Sequence, residues 1–341
     1  MEVMQKPTNF FEGVEKLLEI WFTQSENSTG NGNACLISPR KWKNCLKLAK
    51  VEILDSIEFD EQVAFLLSES SMFVSKNRVI LKTCGSSLCL NALTYIVDLV
   101  KEECGLDIVA DCFYSRKNFM KPDHQPHPHQ TFENEVIYVN EKLSSNLASY
   151  CLGQMNGDCW FLCTTNHSGN TSLIGTDRPD QTLEILMTGL DSNAMIYFNA
   201  FDKDGNKKDV DMVTEESGIS KLIPNSKINA ALFEPCGYSM NGLLSNGQYW
   251  TIHITPEAEF SYVSFETNLN TKDYTNLIKN VTSLFKPKRF AMTLFRNHLS
   301  NVDLTPWNHP PGPFVKSYKR LDKQIAFLDQ YCLFYLDFER V

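Results

Sequence analysis

The stretch 67–85, LSESSMFVSKNRVILKTCG, places small hydroxyl side chains on both sides of one carboxylate. Ser70 directly follows Glu69, and a thiol follows near the end of the stretch at Cys84. Hydroxyl and thiol groups are common nucleophiles, so these residue types could carry covalent chemistry. The same letters also describe a polar turn before an edge strand, and composition alone favours that simpler interpretation.

Two further candidates lie in the segments PCGYSMNG at 235–242 and YWTIHITPE at 249–257. His253 has an ordinary pKa near neutrality, which suits a general base. A lone histidine inside a strand is, however, more often a hydrogen-bonded core residue. Ser239 lies beside Gly237, so an ordinary turn serine is equally compatible with the local sequence.

Metal chemistry receives little support from the sequence. The eleven cysteines include no CxxC pair, and their odd number and irregular spacing argue against a zinc ribbon or a redox pair. Prolines separate His124, His127 and His129, which predicts an exposed, extended loop without an evident fourth ligand. We therefore predict reduced thiols, most of them in the core, and no bound metal.

The composition is typical of a globular protein with a full-sized core. Of 341 residues, 43% are hydrophobic and 21% are charged. The net charge of −9 disfavours nucleic acid and anionic membranes as partners. No run approaches the roughly 18 apolar residues that a membrane span needs. The N-terminal segment lacks the apolar core of a secretory signal, so we expect a cytosolic protein.

Three helices are predicted. Ser38 and Pro39 offer an N-cap and a first-turn proline for a helix that runs to about Lys50. The segment 88–103 ends with acids and a lysine, and 273–285 carries an apolar stripe at 3.6-residue spacing. Loops are predicted where Ser, Asn, Gly, Pro and His cluster. They are 24–37, 121–131, 165–180 and 299–317.

Predicted strands are more numerous and are rich in Val, Ile, Phe, Tyr and Trp. They are 63–67, 72–82, 135–140, 159–164, 182–187, 249–255, 260–266, 290–296 and 331–338. Because strands outnumber helices without alternating regularly, we predict an α+β fold with antiparallel sheets. The segment 10–22 fits an amphipathic helix or a strand, and we favour the strand, which points Glu15 and Glu19 the same way. No internal repeat is visible.

Five blocks of the sequence resemble eukaryotic S-adenosylmethionine decarboxylases, a self-processing, pyruvoyl-dependent family. Besides 67–85, they are FFEGVEKLLE at 10–19, FYSRKNFMKP at 113–122, PDQTLEILM at 179–187, and PCGYSMNG with YWTIHITPEAEFSYVSFETN between 235 and 268. The blocks occur in the family order and cover nearly the whole chain. Divergence is confined to 24–37, 165–178 and 298–320, where insertions are tolerated.

The resemblance implies that the chain cuts itself between Glu69 and Ser70. Residues 1–69 become a small chain and residues 70–341 a large one. Ser70 is converted to a pyruvoyl group, which forms a Schiff base with S-adenosylmethionine and accepts electron density as carbon dioxide leaves. The implied product, decarboxylated S-adenosylmethionine, is the aminopropyl donor for spermidine and spermine.

Site residues follow from the same resemblance, position by position. His253 matches the base of processing, Ser239 the hydroxyl that assists it, and Cys84 the proton donor of catalysis. Glu12 and Glu15 match acids that line the same pocket. The implied substrate contacts are Phe11 and Phe233 on the adenine, Glu257 on the ribose hydroxyls, and Leu67 and Glu69.

A regulatory putrescine site is implied as well. Clustered buried carboxylates repel one another, and a diamine neutralises them at two points. The matching residues are Glu19, Lys82, Phe113, Arg116, Asp180, Thr182, Glu184, Glu266, Phe295 and Tyr331. A buried ionic network around Lys82 without a ligand is the simpler alternative.

The implied fold is a four-layer αββα sandwich of two antiparallel sheets, forming one domain over 1–341. The implied assembly is a dimer of small-plus-large heterodimers. Two other functions stay open. One is an inactive homologue that regulates an active partner, which the retention of Ser70, Cys84, Ser239 and His253 disfavours. The other is a cysteine hydrolase that uses Cys84 and His253, for which no oxyanion motif is evident.

Overall fold

Two eight-stranded antiparallel sheets form the centre of the molecule. The computed structural model describes residues 10–165, 178–257, 259–308, 317–328 and 330–341. The first sheet, ordered β2-β3-β4-β5-β1-β6-β8-β7, contains β1 (Lys16–Thr23), β2 (Ile53–Phe59), β3 (Gln62–Leu67), β4 (Ser70–Ser75), β5 (Arg78–Thr83), β6 (Ile108–Lys117), β7 (Leu147–Gly153) and β8 (Cys159–Thr165). The second, ordered β10-β11-β12-β13-β9-β14-β16-β15, contains β9 (Gln181–Thr188), β10 (Lys227–Leu232), β11 (Tyr238–Leu243), β12 (Tyr249–Thr255), β13 (Tyr262–Thr267), β14 (Arg289–Asn297), β15 (Tyr318–Phe327) and β16 (Tyr331–Arg340).

Helices cover the outer face of each sheet. They are α1 (Pro39–Leu46), α2 (Leu93–Cys104), α3 (Phe132–Leu143), α4 (Ser192–Met195), α5 (Val210–Glu216), α6 (Thr275–Phe285) and α7 (Thr305–Asn308). One apolar cluster joins α1, α2 and α3 to the first sheet, and another joins α4 to α7 to the second. Two smaller clusters mix residues of both sheets. The predicted α+β sandwich of four layers is therefore confirmed. None of the helices in the described ranges has the length and apolar character to cross a bilayer.

The two sheets share one topology. Raising each strand number of the first sheet by eight reproduces the strand order of the second. The structure thus contains an internal repeat that the sequence does not reveal. Topology depends on which segments are apolar and how they pair, and this can persist when individual residues differ.

All three predicted helices are present. Pro39 is the first residue of α1, although the Ser38 side chain makes no capping hydrogen bond. The helix continues as a short 3-10 turn over Lys47–Ala49 before Lys50. The stretch 88–103 forms a 3-10 turn followed by α2, and α6 buries the predicted apolar stripe.

Two strand predictions were wrong. The segment 72–82 is not one strand but the hairpin β4–β5, which turns at the polar pair Lys76-Asn77. The segment 135–140 lies inside α3. Thr131 caps this helix by accepting a hydrogen bond from the Asn134 N–H, and Val139 is buried on its inner face. The β-branched residues resembled a strand, but the cap and the helical spacing decide the structure.

The ambiguous segment 10–22 becomes strand β1 from Lys16 onwards, as favoured. Its even positions pack under the helices, while Leu17 and Glu19 face the second sheet. The strands that the sequence did not predict are β2, β6, β7, β10, β11 and β15. Several of these carry polar or charged residues, so their letters lack the dense apolar run of a central strand. The predicted loop 165–180 lies largely outside the described residues.

Candidate active site

The Glu69–Ser70 peptide lies at a tight hairpin turn. Strand β3 ends at Leu67 and β4 begins at Ser70, so Ser68 and Glu69 form a two-residue connection. Ser70 has a φ angle of 117°. A non-glycine residue rarely adopts such a value, and it persists only where the surrounding structure enforces it. The backbone is therefore strained at this peptide bond.

The carbonyl group of Glu69 is already polarised. Its oxygen accepts a hydrogen bond from the Cys84 N–H at 3.1 Å. This bond joins the residue before β4 to the residue after its neighbour β5. A backbone donor aimed at a carbonyl oxygen stabilises negative charge that develops there during nucleophilic attack. The arrangement supplies one element of an oxyanion site.

A buried carboxylate contacts the neighbouring hydroxyl. Ser70 Oγ donates a hydrogen bond to Glu15 Oε1 at 2.6 Å. Burial alone would raise the pKa of Glu15, but the charge of Lys82, together with the hydrogen bond from Ser70, holds that pKa below its ordinary value. Glu15 is therefore a carboxylate at neutral pH and can accept the hydroxyl proton of Ser70.

His253 lies on β12 and faces the same space between the sheets. Its Nδ1 is 2.8 Å from Ser239 Oγ on β11, which fits the direct pairing of these two residues across the ladder. Its Nε2 is 2.8 Å from Thr251 Oγ1 and 3.2 Å from Ser71 Oγ. Burial lowers the pKa of His253 to about 4. The imidazole is therefore neutral and keeps one lone pair for proton transfer.

Cys84 follows β5 and is buried. Its thiol donates to Glu69 Oε2 at 3.9 Å. Burial, with added repulsion from Glu69 and Glu15, raises the pKa of Cys84 well above its ordinary value. The thiol therefore stays protonated at neutral pH, which is the form that a proton donor requires.

A cavity of about 320 Å³ opens beside the hairpin turn. Its lining includes three of the predicted site residues, Phe11, Glu12 and Glu69, together with Phe10, Lys50, Gly85, Ser86, Ser87, His124 and Gln125. Gly85 has a φ of +60°, and a Cβ there would lie 2.9 Å from Phe11 and 3.0 Å from Glu69. Only glycine fits this wall without strain.

The remaining predicted substrate residues differ in placement. The Glu257 carboxylate lies near the Phe11 backbone, which lowers its pKa, but burial has the larger effect and raises that pKa. Leu67 points the other way, into the core under the helices. Phe233 lies after β10, half-buried, and does not line the described cavity.

Glu12 is committed to holding a loop. Its Oε2 accepts from the backbone N–H groups of Met120 and Lys121 at 2.9 and 3.0 Å. Its own carbonyl accepts from the Gly85 N–H at 2.8 Å. Although Glu12 lines the cavity, these contacts show that it also fixes the loop at Met120 and Lys121 and the cavity wall at Gly85.

Deeper between the sheets lies an ionic cluster. Lys82 Nζ is 2.8 Å from Glu266, 3.5 Å from Glu15 and 3.7 Å from Glu184. Although burial opposes its charge, these carboxylates raise the pKa of Lys82 above its ordinary value. Burial raises the pKa of Glu184 to about 7, against the opposing charge of Lys82. The ammonium group of Lys82 therefore lies within 3.7 Å of three carboxyl groups.

The cluster continues through Arg78, which the sequence did not single out. Arg78 lies 2.8 Å from Glu19 and 3.5 Å from Asp180, and Tyr331 OH donates to Asp180 at 2.9 Å. The rings of Phe113, Phe295 and Tyr331 form one aromatic group with centroids 4.4 to 5.5 Å apart. Thr182 pairs with Phe295 in the sheet. Nine of the ten predicted putrescine residues are thus assembled in one region.

Arg116 is the exception. It extends from β6 to the helix-covered face, where its Nε donates to Glu135 on α3 at 2.8 Å. The same carboxylate is 2.8 Å from His129 Nδ1. His129 is therefore a buried core residue rather than part of an exposed loop. Within the described ranges no three His, Cys, Asp or Glu side chains are arranged to hold a metal ion.

Comparison with known proteins decides the family. The adenosylmethionine decarboxylase family matches residues 8–339. This chain belongs to the adenosylmethionine decarboxylase family. The S-adenosylmethionine decarboxylase proenzyme of Xenopus laevis is 45% identical over 341 residues, covering 100% of this chain and 98% of the relative. The corresponding proenzyme of Drosophila melanogaster is 46% identical over 308 residues, covering 87% of this chain and 86% of the relative.

A solved structure supports the fold. The crystal structure of the Trypanosoma brucei AdoMetDC-delta26 monomer is similar with a TM-score of 0.58 at 23% identity. The match covers 79% of this chain and 99% of that structure. The two-sheet sandwich is shared even where the residues have diverged.

Sequence reasoning missed several contacts of the candidate site. Ser71 and Thr251 contact His253, Asn241 contacts both of them, and none of the three was singled out. Ser239 and Asn241 are two residues apart on β11, as Thr251 and His253 are on β12. The two members of each pair therefore point to the same face of the sheet. That alternation is visible in the letters, but the pairing of β11 with β12 is not.

Proposed function

We propose that this chain cuts itself between Glu69 and Ser70 and that the product is a pyruvoyl-dependent decarboxylase of S-adenosylmethionine. One observation carries the proposal. The Ser70 hydroxyl donates to a buried carboxylate at 2.6 Å while the strained Glu69–Ser70 peptide presents its carbonyl to the Cys84 N–H. Nucleophile, proton acceptor and oxyanion donor are thus assembled around one peptide bond.

The first stage is an acyl transfer. Glu15 takes the hydroxyl proton as Ser70 Oγ attacks the Glu69 carbonyl carbon, and the Cys84 N–H stabilises the oxyanion. The bond to the Ser70 nitrogen then breaks, and this nitrogen takes up a proton. The peptide becomes an ester, and the strain at Ser70 is released.

The second stage is an elimination. The neutral His253 accepts the α-proton of Ser70, and the ester bond to Glu69 breaks to leave a carboxylate. Addition of water and loss of ammonia leave a ketone at position 70. The proposed small chain is 1–69 and the large chain is 70–341.

The surroundings of position 70 fit such a group. A pyruvoyl group supplies the electron sink that decarboxylation of an α-amino acid requires. Ser70 pairs directly with Thr83, the last residue of the adjacent strand, and the protonated Cys84 thiol comes directly after it. Cys84 then donates a proton to the substrate carbon after carbon dioxide leaves. Glu69, the residue before position 70, lines the cavity together with Phe11.

Intact-mass measurement tests this function directly. Freshly purified protein should yield two chains that divide after Glu69, and the larger should have a blocked N-terminus. Ser70→Ala should yield one full-length chain without decarboxylase activity, because no hydroxyl remains to attack. Cleavage of Ser70→Ala at the same bond, or an uncut wild-type chain that folds correctly, would refute the proposal.

The cavity is the proposed S-adenosylmethionine site. Phe11 offers a flat face for adenine, where stacking contributes about 1–3 kcal/mol per base. Glu257, near the Phe11 backbone, is the proposed acceptor of hydrogen bonds from the ribose hydroxyls. Phe233 and Leu67 are retained as proposed contacts, although neither lines the described cavity.

We also propose that putrescine binds the ionic cluster. In the described part of the chain, two cations, Lys82 and Arg78, face five carboxylates there, which are Glu15, Glu19, Asp180, Glu184 and Glu266. A diamine would neutralise the excess at two points. Processing and turnover should rise on addition of putrescine, and Glu184→Gln should weaken the response. Glu234→Gln, at an exposed pair with Lys207, is the control that should keep it. No response in the wild type would count against this site.

The assembly and compartment are proposals as well. A dimer of heterodimers would have two neighbouring sheet edges available, because β7 and β15 each end their sheet and Gln324 on β15 donates to the Gly153 carbonyl on β7. Phe327 on β15 is 79% exposed. Sedimentation should give the mass of two copies. We propose the cytosol because all eleven cysteines are free thiols.

A further inference from the structure

The hydroxyl groups near His253 Nε2 donate their hydrogens to other acceptors. Thr251 Oγ1, at 2.8 Å from Nε2, lies equally close to the Met240 carbonyl oxygen. That carbonyl can only accept, so the single hydroxyl hydrogen of Thr251 goes there. The Thr251 oxygen is then free to accept from Nε2.

The hydroxyl hydrogen of Ser71 is also used in another bond. Ser71 Oγ is 3.2 Å from Nε2 and 2.5 Å from Asn241 Oδ1. The Ser71 hydroxyl donates this bond to the Asn241 amide oxygen, and 2.5 Å is a separation that fits an O–H···O bond. The Ser71 hydrogen therefore points at Asn241, and its oxygen also faces Nε2 as an acceptor.

A third oxygen on this side bears a charge. Glu15 Oε1 lies 3.6 Å from Nε2. A carboxylate favours a hydrogen on the nearer ring nitrogen. On the other side of the ring, Nδ1 lies beside Ser239 Oγ, which can act as a donor. These three oxygens near Nε2 thus favour the same tautomer.

We infer that Thr251, Ser71 and Asn241 position His253 as the Nε2–H tautomer, which leaves Nδ1 as the nitrogen that accepts a proton during processing. This inference rests on the proposed function and assigns roles to residues outside the catalytic set. In the uncut chain, the Nδ1 lone pair accepts from the Ser239 hydroxyl. When the Ser70 α-proton is removed, Nδ1 takes it and Nε2 keeps its own hydrogen.

This arrangement explains why Glu15 lies near both groups. The imidazolium formed during elimination keeps its Nε2–H on the side of Glu15, where the negative charge stabilises it. The charged groups that act on the ring are Glu15, just before β1, and Lys82 from β5, with opposite effects. Thr251 and Asn241 act through His253 and are positioning residues.

The first test observes the ring directly. In the full-length Ser70→Ala chain, which should not process, ¹⁵N chemical shifts of the His253 side chain report which nitrogen carries the hydrogen. We expect a protonated Nε2 and an unprotonated Nδ1 at neutral pH. A protonated Nδ1 would overturn the inference. The measurement does not depend on cleavage, so its result stands even if the wild-type chain fails to process.

The second test uses a matched pair of threonines. Thr251→Val removes the acceptor at Nε2 together with a hydroxyl bond to a backbone carbonyl. Thr267→Val removes a similar buried bond, from Thr267 Oγ1 to the Tyr249 carbonyl at 2.7 Å, without touching the histidine. We expect Thr251→Val to slow conversion of the ester about 10–100-fold, a part of the full effect of a general base.

The ester should accumulate in Thr251→Val, where hydroxylamine cleaves it, while the initial acyl transfer is slowed much less. Thr251→Ser should restore conversion because it restores the hydroxyl. Equal conversion rates in Thr251→Val and Thr267→Val would overturn the positioning role. A wild-type chain that never forms the ester would instead refute self-processing itself, so the two failures are distinguishable.

Discussion

Two polar regions lie between the same two sheets and differ in what their groups contact. The processing cluster, formed by Ser70, Glu15, His253, Ser239 and Thr251, joins mostly uncharged groups by hydrogen bonds. The ionic cluster, formed by Lys82, Arg78, Glu19, Asp180, Glu184 and Glu266, consists mainly of full charges. The first is arranged for proton transfer and the second for charge balance.

Glu15 connects the two clusters. It accepts from Ser70 at 2.6 Å and lies 3.5 Å from Lys82. The ionic cluster therefore sets the charge of the acid that the proposed cleavage uses. An added diamine would act at a distance through the same carboxylate, because it changes the field that Lys82 and its acids create.

The largest effect should come from removing the shared carboxylate. Glu15→Gln should slow self-cleavage by about 10²–10⁴-fold, the range typical of general acid–base groups. A time course of intact mass after refolding gives the rate. Glu19→Gln, on the same face of the N-terminal strand, contacts Arg78 instead and should slow cleavage far less. Equal cleavage rates in Glu15→Gln and Glu19→Gln would contradict the distinct roles of the two clusters.

Lys82→Met should mainly affect stability. It leaves Glu266, at 2.8 Å from the ammonium, as an uncompensated buried charge. Breaking a buried pair from one side costs about 3–5 kcal/mol, which urea denaturation of the Ser70→Ala background would measure. A loss below about 1 kcal/mol would show that the acids are neutralised in another way.

Glu184 should make stability depend on pH. Because burial raises its pKa from 4.5 to about 7, the folded chain keeps a proton that the unfolded chain has lost between these values. Its contribution is fully present below about pH 4.5 and is lost as pH rises through 7. Glu184→Gln should remove this pH dependence of the unfolding free energy, which amounts to on the order of 3 kcal/mol across the window. An unchanged slope in urea titrations across this window would contradict the assignment.

The smallest predicted effect tests the wall of the cavity at Gly85. Gly85→Ala should cost about 1–2 kcal/mol because of its left-handed backbone, and should also raise KM by pushing against Phe11. Gly205→Ala, with a φ of +82° and open space around it, has a similar backbone cost without the clash. A KM change shared by both variants would rule out a cavity effect.

Alternation along single strands is readable from the sequence. The period of two predicts that Glu15 and Glu19 share one face. Nine of the ten putrescine positions that the resemblance implies lie in one region of the structure. The contacts that the sequence did not reveal depend on partners remote in sequence. Arg116 turns to Glu135 because α3, mistaken for a strand, covers that face. The contacts of Thr251 and Ser71 with His253 require the packing of two sheets.

The internal repeat was equally hidden. Two sheets with one strand order arise from sequences without visible similarity, because pairing depends on buried patterns rather than on particular letters. The chemistry is not repeated with the topology. Ser70 and Cys84 belong to the first half, and Ser239 and His253 to the second. The proposed site therefore forms only where the two halves face each other.

The most direct measurement is a search for a carbonyl group at residue 70. Freshly folded protein is treated with a hydrazine reagent that labels ketones, and the label is located by mass spectrometry of peptides. We expect one label, at the N-terminal residue of the large chain, and none in Ser70→Ala. Cleaved protein that carries an ordinary serine at this end would contradict it.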